Sequence, residues 1–491
     1  MKFHVVEHPP KSILPKSALV LHVTQGDSKL PSSATWIDQE LGGALKKELK
    51  RRKFSGTAGS TTVIQSKYGP SIMVGVGKRP VSLEKIRRSA ADAVREARAH
   101  HIEALATPAT GGQRLAPEAV AQTMVEGALL GDYQFDKHKS AAKRPALDFY
   151  VTQVGKNAAA VKRGVARGQI TAEAQILARD LANEPPSHLT PKQLAAEARK
   201  VAAKNGLGIS VLGPAELKKA GFGAMLAVAK GSDEPPQLIK LTYRPTGAKP
   251  KKHVVLVGKS VTYDSGGINL KPSRGGSLED MKLDMSGGAA VLGAMSALKR
   301  LGVKVAVTGY LPATENLLGG SAYKPGDVVK TVNGKTIEIG NTDAEGRLTL
   351  ADALAYTTAK DKPDEIIDLA TLTATEVSLG PSYAAIFATT PKLEERLRAA
   401  GEETGEQLWP LPWPEEYDEM TKSRVADFSN VVPGRAYTLS GPLLLKHFIG
   451  QTPWAHLDIG SAASPEKDSG YTKKGGSGFG TRLLLEYLSN A

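Results

Sequence analysis

Short apolar runs alternate with amphipathic stretches along the whole chain, and their spacing predicts strands alternating with helices. Ser17-Ala18-Leu19-Val20-Leu21-His22-Val23 and Ser71-Ile72-Met73-Val74-Gly75-Val76-Gly77 are compact apolar runs suited to buried strands. From Ser82 to His100 the pattern turns Ala-, Arg- and Glu-rich, with no Gly or Pro, and predicts a helix. Gly75-Val76-Gly77-Lys78 invites comparison with a phosphate loop. No third glycine follows, and no Gly-x4-Gly-Lys-Ser/Thr is present, so it reads as a strand end. Ile170 to Ala182 has helical periodicity and runs into Asn183-Glu184-Pro185-Pro186, a firm helix stop. Thr190-Pro191 opens a further helix, Lys192 to Asn205, with the threonine as N-cap and the proline at the first helical position.

Beyond residue 207 strands and helices alternate regularly, which implies a mainly parallel sheet covered on both faces. The clearest strands are Leu238–Tyr243, His253–Val257, Val303–Val307 and Glu365–Leu369. Val332 to Ile339 reads as a hairpin turning at Asn333-Gly334. Thr472 to Gly480 is a Gly/Lys-rich loop before a final helix, Thr481 to Leu488. The fold class is therefore α/β: a small N-terminal α/β domain, residues 1–165, and a larger C-terminal α/β domain, residues 166–491, with a mainly parallel, helix-flanked sheet. Residues 166–184 form the connecting helix.

Composition narrows the chemistry. At 491 residues the chain can bury a large core, and its 41% hydrophobic and 23% charged content is that of a soluble globular protein. There is no cysteine, which excludes disulfides, thiolate zinc sites and a cysteine nucleophile. The first residues lack the apolar core of a signal peptide, and no apolar run reaches membrane-spanning length, so a cytoplasmic protein is expected. The net charge of +14 is uneven: residues 1–150 hold 23 Lys+Arg against 14 Asp+Glu, and the other 341 residues hold 41 against 36. The basic clusters Lys50-Arg51-Arg52-Lys53 and Lys85-Ile86-Arg87-Arg88 are either a solvated face or a polyanion-binding one.

Candidate chemistry gathers on three loops. Gly258-Lys259-Ser260-Val261-Thr262-Tyr263-Asp264-Ser265-Gly266-Gly267-Ile268-Asn269-Leu270-Lys271 leaves a buried strand, and ligands in open α/β sheets bind at the carboxyl ends of strands. Asp284 opens the small-residue helix that ends near Gly302, where dense glycines point to close backbone approach. Asn341-Thr342-Asp343-Ala344-Glu345-Gly346-Arg347-Leu348 lies on a strand-to-helix loop. Asp284, Asp343 and Glu345 are each suited to capping a helix start. Asp264, Asp284, Asp343 and Glu345 in one cleft would repel unless cations neutralise them. No His-Glu-x-x-His motif is present. An oxygen-rich set of this kind fits two divalent metals bridged by shared carboxylates, roughly 3.5–4 Å apart.

These three segments together resemble the leucyl aminopeptidase (cytosol aminopeptidase, M17) family. The likeness covers roughly residues 165–491, including Ala178-Arg179-Asp180-Leu181, Pro325-Gly326-Asp327, Ala370-Thr371-Leu372-Thr373 and Trp454-Ala455-His456-Leu457-Asp458-Ile459. The N-terminal third is similar only loosely. The resemblance implies two divalent metal ions per subunit, zinc or manganese, held by Lys259, Asp264, Asp284, Asp343 and Glu345, with Asp264 and Glu345 bridging. It implies that Lys271 polarises the peptide carbonyl and that Arg347 holds a bicarbonate serving as general base. A metal-bound hydroxide would then remove the N-terminal residue from peptides with a free amino end, in a homohexamer without membrane attachment.

The chain departs from the family pattern in places. Ser260 stands where glycine is usual and Tyr263 where phenylalanine is. Ala374-Thr375 follows Ala-Thr-Leu-Thr in place of Gly-Ala, Gly460-Ser461 follows Asp458-Ile459 in place of Ala-Gly, and Gly434-Arg435-Ala436-Tyr437-Thr438-Leu439-Ser440-Gly441 is atypical. None removes a ligand, but several fall in segments that shape the substrate side-chain pocket. The rival reading is a DNA-binding protein using the basic N-terminal domain; a two-metal phosphatase or nuclease shares only the carboxylate logic.

Overall fold

The computed structural model describes residues 1–7, 17–26, 54–66, 69–109, 115–140, 144–152, 157–247, 250–273, 277–432 and 436–491, with isolated positions between 38 and 51 and Gly434. Two compact units emerge: Met1–Glu173 with Lys467–Lys473, and Ala174–Glu466 with Lys474–Ala491.

In the first unit, β1 (Lys2–Val6), β2 (Ser17–Thr24), β3 (Thr61–Ser66), β4 (Gly69–Gly77), β5 (Ala104–Pro108) and β6 (Asp148–Thr152) form one sheet in the order β1-β6-β5-β2-β4-β3. Every pair is parallel except β3 with β4. Helix α1 (Leu83–Ala99) starts where Ser82 Oγ accepts from the Lys85 N–H at 3.3 Å, and it packs beside α2 (Pro117–Asp132). Val20, Ile72, Val94, Val125 and Phe149 are buried together between sheet and helices.

The basic run on α1 does not form a uniform face. Arg87 is 2% exposed; its Nε donates to Glu126 at 3.0 Å and one terminal NH to Glu84 at 2.6 Å. Arg88 is half-exposed and also donates to Glu84, at 2.7 Å. Consecutive helical residues point about 100° apart, so one of two adjacent arginines can enter the core when an acid on the next helix compensates it. The expectation of a polyanion-binding surface is corrected at Arg87, which is closed to any such partner. In the other cluster Lys50 and Arg51 are exposed, whereas Arg52 and Lys53 lie outside the described residues.

Helix α3 (Ala158–Asn183) passes the point in sequence where the two units divide, and it begins well before Ile170. Its early glycines hid that start. A Cβ at Gly164 would stand 2.1 Å from the carbonyl oxygen of Glu118, so the helix needs glycine there to approach α2.

The second unit opens with α4 (Pro191–Asn205), with Pro191 at its first position as expected. Then come β7 (Gly208–Leu212), β8 (Gln237–Tyr243), β9 (His253–Gly258), β10 (Ser260–Asp264), helix α5 (Ser286–Leu301) and β11 (Ala306–Asn316). The hairpin β12 (Val328–Lys330) and β13 (Thr336–Glu338) leads to helix α6 (Gly346–Asp361) and β14 (Glu365–Ala370). Further along come β15 (Ala384–Ala388), α7 (Pro391–Thr404), β16 (Leu408–Pro410), β17 (Phe428–Ser429), β18 (Trp454–Asp458) and α8 (Thr481–Ser489), with shorter helical turns between the elements. The main sheet runs β16-β15-β18-β14-β9-β11-β8-β7, with β10 pairing the far half of β11. Its centre, β18-β14-β9-β11, is parallel, and β8 and β15 pair antiparallel at its flanks. Val255, Val257, Ile366, Leu350 and Leu354 are buried between this sheet and α6.

Two expectations shift. The strand expected at Val303–Val307 starts at Ala306 and runs eleven residues to Asn316, all of them buried. Pro312 lies inside it, and proline ordinarily argues against a central strand. The hairpin's first strand precedes Val332; its turn spans Thr331 to Lys335 with Gly334 at φ 86°. Among the described residues, no helix is long and apolar enough to cross a membrane.

Candidate metal centre

Three chain segments reach the carboxyl end of the central parallel strands. Lys259 follows β9 directly, and Asp264 closes β10. Asp284 sits in a single 3-10 turn, Met281–Met285, immediately before α5, while Asp343 and Glu345 precede α6. Their convergence depends on missing side chains. A Cβ at Gly287 would stand 2.1 Å from the Leu369 carbonyl oxygen, and one at Gly288 would stand 2.1 Å from Ser260 Oγ. The dense glycines after Asp284 are thus contact surfaces for the strand ends.

The structure brings Asp264, Asp284 and Glu345 together, with one carboxylate oxygen of each lying within 4.8 Å of the others, and all three are buried. Lys259 Nζ donates to Asp284 Oδ1 at 2.7 Å and to the Thr371 carbonyl at 2.9 Å, and lies 2.8 Å from Glu345 Oε1. Lys271 Nζ lies 3.0 Å from Asp264 Oδ2 and 2.6 Å from Asp343 Oδ1. Asp343, partly exposed, therefore joins the cluster through Lys271 and stands outside the tight trio.

Electrostatics follow from crowding. Burial pushes the Asp284 carboxyl well above the usual range, with Glu345 and Asp264 adding to the rise. Asp264 is raised by burial and then by Glu345, and Asp343 chiefly by burial. Burial would raise Glu345 too, but Lys259 and Lys271 outweigh it and hold this carboxyl below its ordinary value. The same contest runs in reverse at the lysines. Burial favours the neutral amine, yet the surrounding carboxylates keep both Lys259 and Lys271 firmly protonated.

Several residues that hold this cluster are not among the site residues predicted from the sequence. Asn316, at the end of β11, donates to Asp264 Oδ1 at 2.8 Å and to the Thr342 carbonyl at 3.0 Å. Thr371 Oγ1 donates to Asp284 Oδ1 at 2.7 Å. The Thr342 backbone N–H donates to Asn269 Oδ1 at 2.9 Å, and Tyr323 donates to the Thr342 carbonyl at 2.7 Å. Arg347 is buried at the first turn of α6; it donates to the Asn430 carbonyl at 2.7 Å and to Ser440 Oγ at 2.9 Å, leaving Nε without a partner. Burial draws its pKa down.

The residues fit divalent cations. Asp264, Asp284, Asp343 and Glu345 pair with just two ammonium groups, Lys259 and Lys271, so carboxylates outnumber their ion-pair partners in a largely buried cleft. Asp284 Oδ2 has no hydrogen-bond partner, and Asp343 Oδ1 and Glu345 Oε1 meet ammonium groups without hydrogen-bond alignment. Carboxylate oxygens with one amine are a donor set for hard or borderline ions.

The catalytic-domain model of the cytosol aminopeptidase family matches residues 176–485, and the model of that family's N-terminal domain matches residues 20–142. The chain belongs to the cytosol aminopeptidase family. The match extends the resemblance into the N-terminal third, where motifs are faint. The chain is 42% identical over 464 residues to a probable cytosol aminopeptidase of Roseiflexus castenholzii, covering 92% of this chain and 94% of that one. With a probable cytosol aminopeptidase of Alkaliphilus oremlandii it shares 40% identity over 505 residues, covering 100% and 99% of the two chains. Among solved structures, a tomato leucine aminopeptidase mutant superposes with TM-score 0.89 at 31% identity, over 100% of this chain and 97% of that one. The bottromycin maturation enzyme BotP in complex with Mn superposes with TM-score 0.85 at 34% identity, over 96% and 98%. This member of the cytosol aminopeptidase family is an aminopeptidase, a hydrolase acting on peptides.

Proposed function

We propose that this aminopeptidase works through a two-cation centre held by Lys259, Asp264, Asp284, Asp343 and Glu345. The observation that carries the reading is the buried excess of carboxylate charge around Asp284 Oδ2, an acceptor with no partner. When bound, the cations would supply Lewis acidity to the scissile carbonyl and lower the pKa of the attacking water. Zinc and manganese both suit the donor set.

The chain's own residues then divide the work. Lys259 must give up its proton to become a ligand, and cations beside it reverse the field that now keeps it charged. Lys271, which is not among the proposed ligands, lies beside Asp264 and Asp343, and as an ammonium it would stabilise the oxyanion as the carbonyl is attacked. Arg347 offers an unpartnered Nε–H to a small anion such as bicarbonate, which would take the water's proton. The substrate's free α-amino group, attracted by the acidic cleft, marks it as a peptide with an open N-terminus. By its likeness to the family, the chain would act as a cytoplasmic homohexamer.

The test is removal of metal by chelation, elemental analysis, and reconstitution with Mn(II) or Zn(II) before assay on aminoacyl-amide substrates. Activity should vanish and return with metal. Full activity in protein stripped to background metal would overturn the reading.

A further inference from the structure

The loop that follows β14 also touches the centre, through Thr371. We propose that Thr371, fixed in place by Asp458, is a positioning residue that turns one chosen oxygen of Asp284 toward the cation centre. The inference rests on the two-cation reading above.

The two oxygens of Asp284 are treated differently. Oδ1 accepts from Lys259 Nζ at 2.7 Å and from Thr371 Oγ1 at 2.7 Å, whereas Oδ2 is buried with no partner. Two donors on one oxygen hold the carboxylate against rotation and leave the lone pairs of the other unclaimed. Thr371 also controls the neighbouring amine, since its carbonyl accepts from Lys259 Nζ at 2.9 Å. Once Lys259 is a neutral amine, that acceptor still takes an N–H and so orients the nitrogen lone pair. One residue thus bears on two of the proposed ligands.

The residues that follow Thr371 are held by Asp458. Asp458, fully buried at the end of β18, accepts the Leu372 N–H at 3.2 Å and the Thr373 N–H at 3.4 Å on Oδ1. The Gly460 N–H reaches the same oxygen at 3.3 Å, and Thr373 Oγ1 donates to Oδ2 at 2.5 Å. Three donors from residues 372 and 373 thus tie the stretch directly after Thr371 to the end of β18. Partners that orient metal ligands in this way are worth roughly 10–100-fold in metal affinity.

The experiment titrates Mn(II) into chelator-stripped full-length protein and reads free Mn(II) by electron paramagnetic resonance. Wild type, Thr371→Val, Thr371→Ser and Asp458→Asn are compared, with thermal midpoints measured alongside. Valine keeps the shape and removes the hydroxyl. Thr371→Val should lose about 10–100-fold affinity at one site and keep the other, and Thr371→Ser should restore it. Asp458→Asn should weaken the same site. Wild type binding two Mn(II) with Thr371→Val unchanged would overturn the inference alone. So would equal weakening of both sites together with a lowered thermal midpoint that serine does not rescue. Unchanged binding in Asp458→Asn would remove its part. Wild type binding no Mn(II) would overturn the two-cation reading as well.

Discussion

Gly346 and Lys259 share space that no other residue at 346 leaves free: a Cβ on Gly346 would stand 2.4 Å from Lys259 Cε and 2.7 Å from its Nζ. The lysine cannot retreat, because Asp284, Glu345 and the Thr371 carbonyl surround its nitrogen. Gly346→Ala should therefore displace the amine while α6 still folds, alanine being the better helix former. The expected outcome is loss of metal at one site and a fall in kcat/KM of about 10–100-fold. Elemental analysis with a thermal melt checks it. A variant with full metal content and full activity would show that Lys259 is free to move.

The two lysines should separate by assay. Lys271 pairs with Asp264 and Asp343, so removing it deletes an ammonium that competes with cations for those carboxylates. Lys271→Ala should keep both metals and lose about 10²–10³-fold in kcat, as for a lost oxyanion donor. Lys259→Ala should instead lower metal occupancy at one site. Equal metal loss in both variants would mean that the roles are misassigned.

How far the site was legible depends on where its partners lie in sequence. Asp264, Asp284, Asp343 and Glu345 stand beside glycines where strands end or helices begin, a pattern readable from residues alone, and the structure brings them close through Lys259 and Lys271. The contacts of Asn316 and Thr371 were not legible, although Thr371 stands in a segment that carries the family likeness. Each contact, Asn316 with Asp264 or Thr371 with Asp284, spans a sequence gap that only the sheet order closes. The same limit hid the end of β11, where Pro312 interrupts the strand pattern, and the inward turn of Arg87, whose counter-charge Glu126 sits on the next helix. Periodicity locates elements; it does not name cross-element pairs.

Acid stability gives a test in the first unit. His22 on β2 turns both ring nitrogens to hydroxyls, Nε2 to Thr107 Oγ1 at 3.1 Å and Nδ1 to Ser89 Oγ at 3.0 Å. Burial pushes its pKa down to about 4. The folded state thus holds His22 neutral while the unfolded chain takes up a proton near pH 6.5. The contribution is fully present above pH 6.5 and is lost as pH falls from there toward 4. At most it is about 3 kcal/mol, trimmed because part of the side chain keeps contact with solvent. Denaturant melts at pH 7.5 and pH 5 should show wild type losing more stability than His22→Gln. An equal loss in both would exclude His22 as the titrating group.

Selectivity should reside where the chain departs from its relatives on the loop after β14. The Gly460 backbone is pressed against that loop: a Cβ there would stand 2.4 Å from the Thr373 carbonyl oxygen and 3.5 Å from Thr375 Oγ1. The family pattern has alanine at that position and glycine at 374, whereas this chain has Gly460 and Ala374. Ala374 directly follows Thr373 and is partly exposed. Ala374→Gly should shift the ranking of Leu, Met, Ala and Phe substrates by about 1–3 kcal/mol in kcat/KM, the scale of one methylene in a pocket. Gly460→Ala alone should do more harm, because the new Cβ meets backbone, and kcat should fall for every substrate. Changing both residues tests whether they act together. Neighbours that share a contact are non-additive by about 0.5–3 kcal/mol, so the double variant should recover part of the loss in Gly460→Ala. Single and double variants are assayed on the same four aminoacyl amides. Additive effects, or an unchanged ranking in Ala374→Gly, would place the determinant of side-chain preference elsewhere in the cleft.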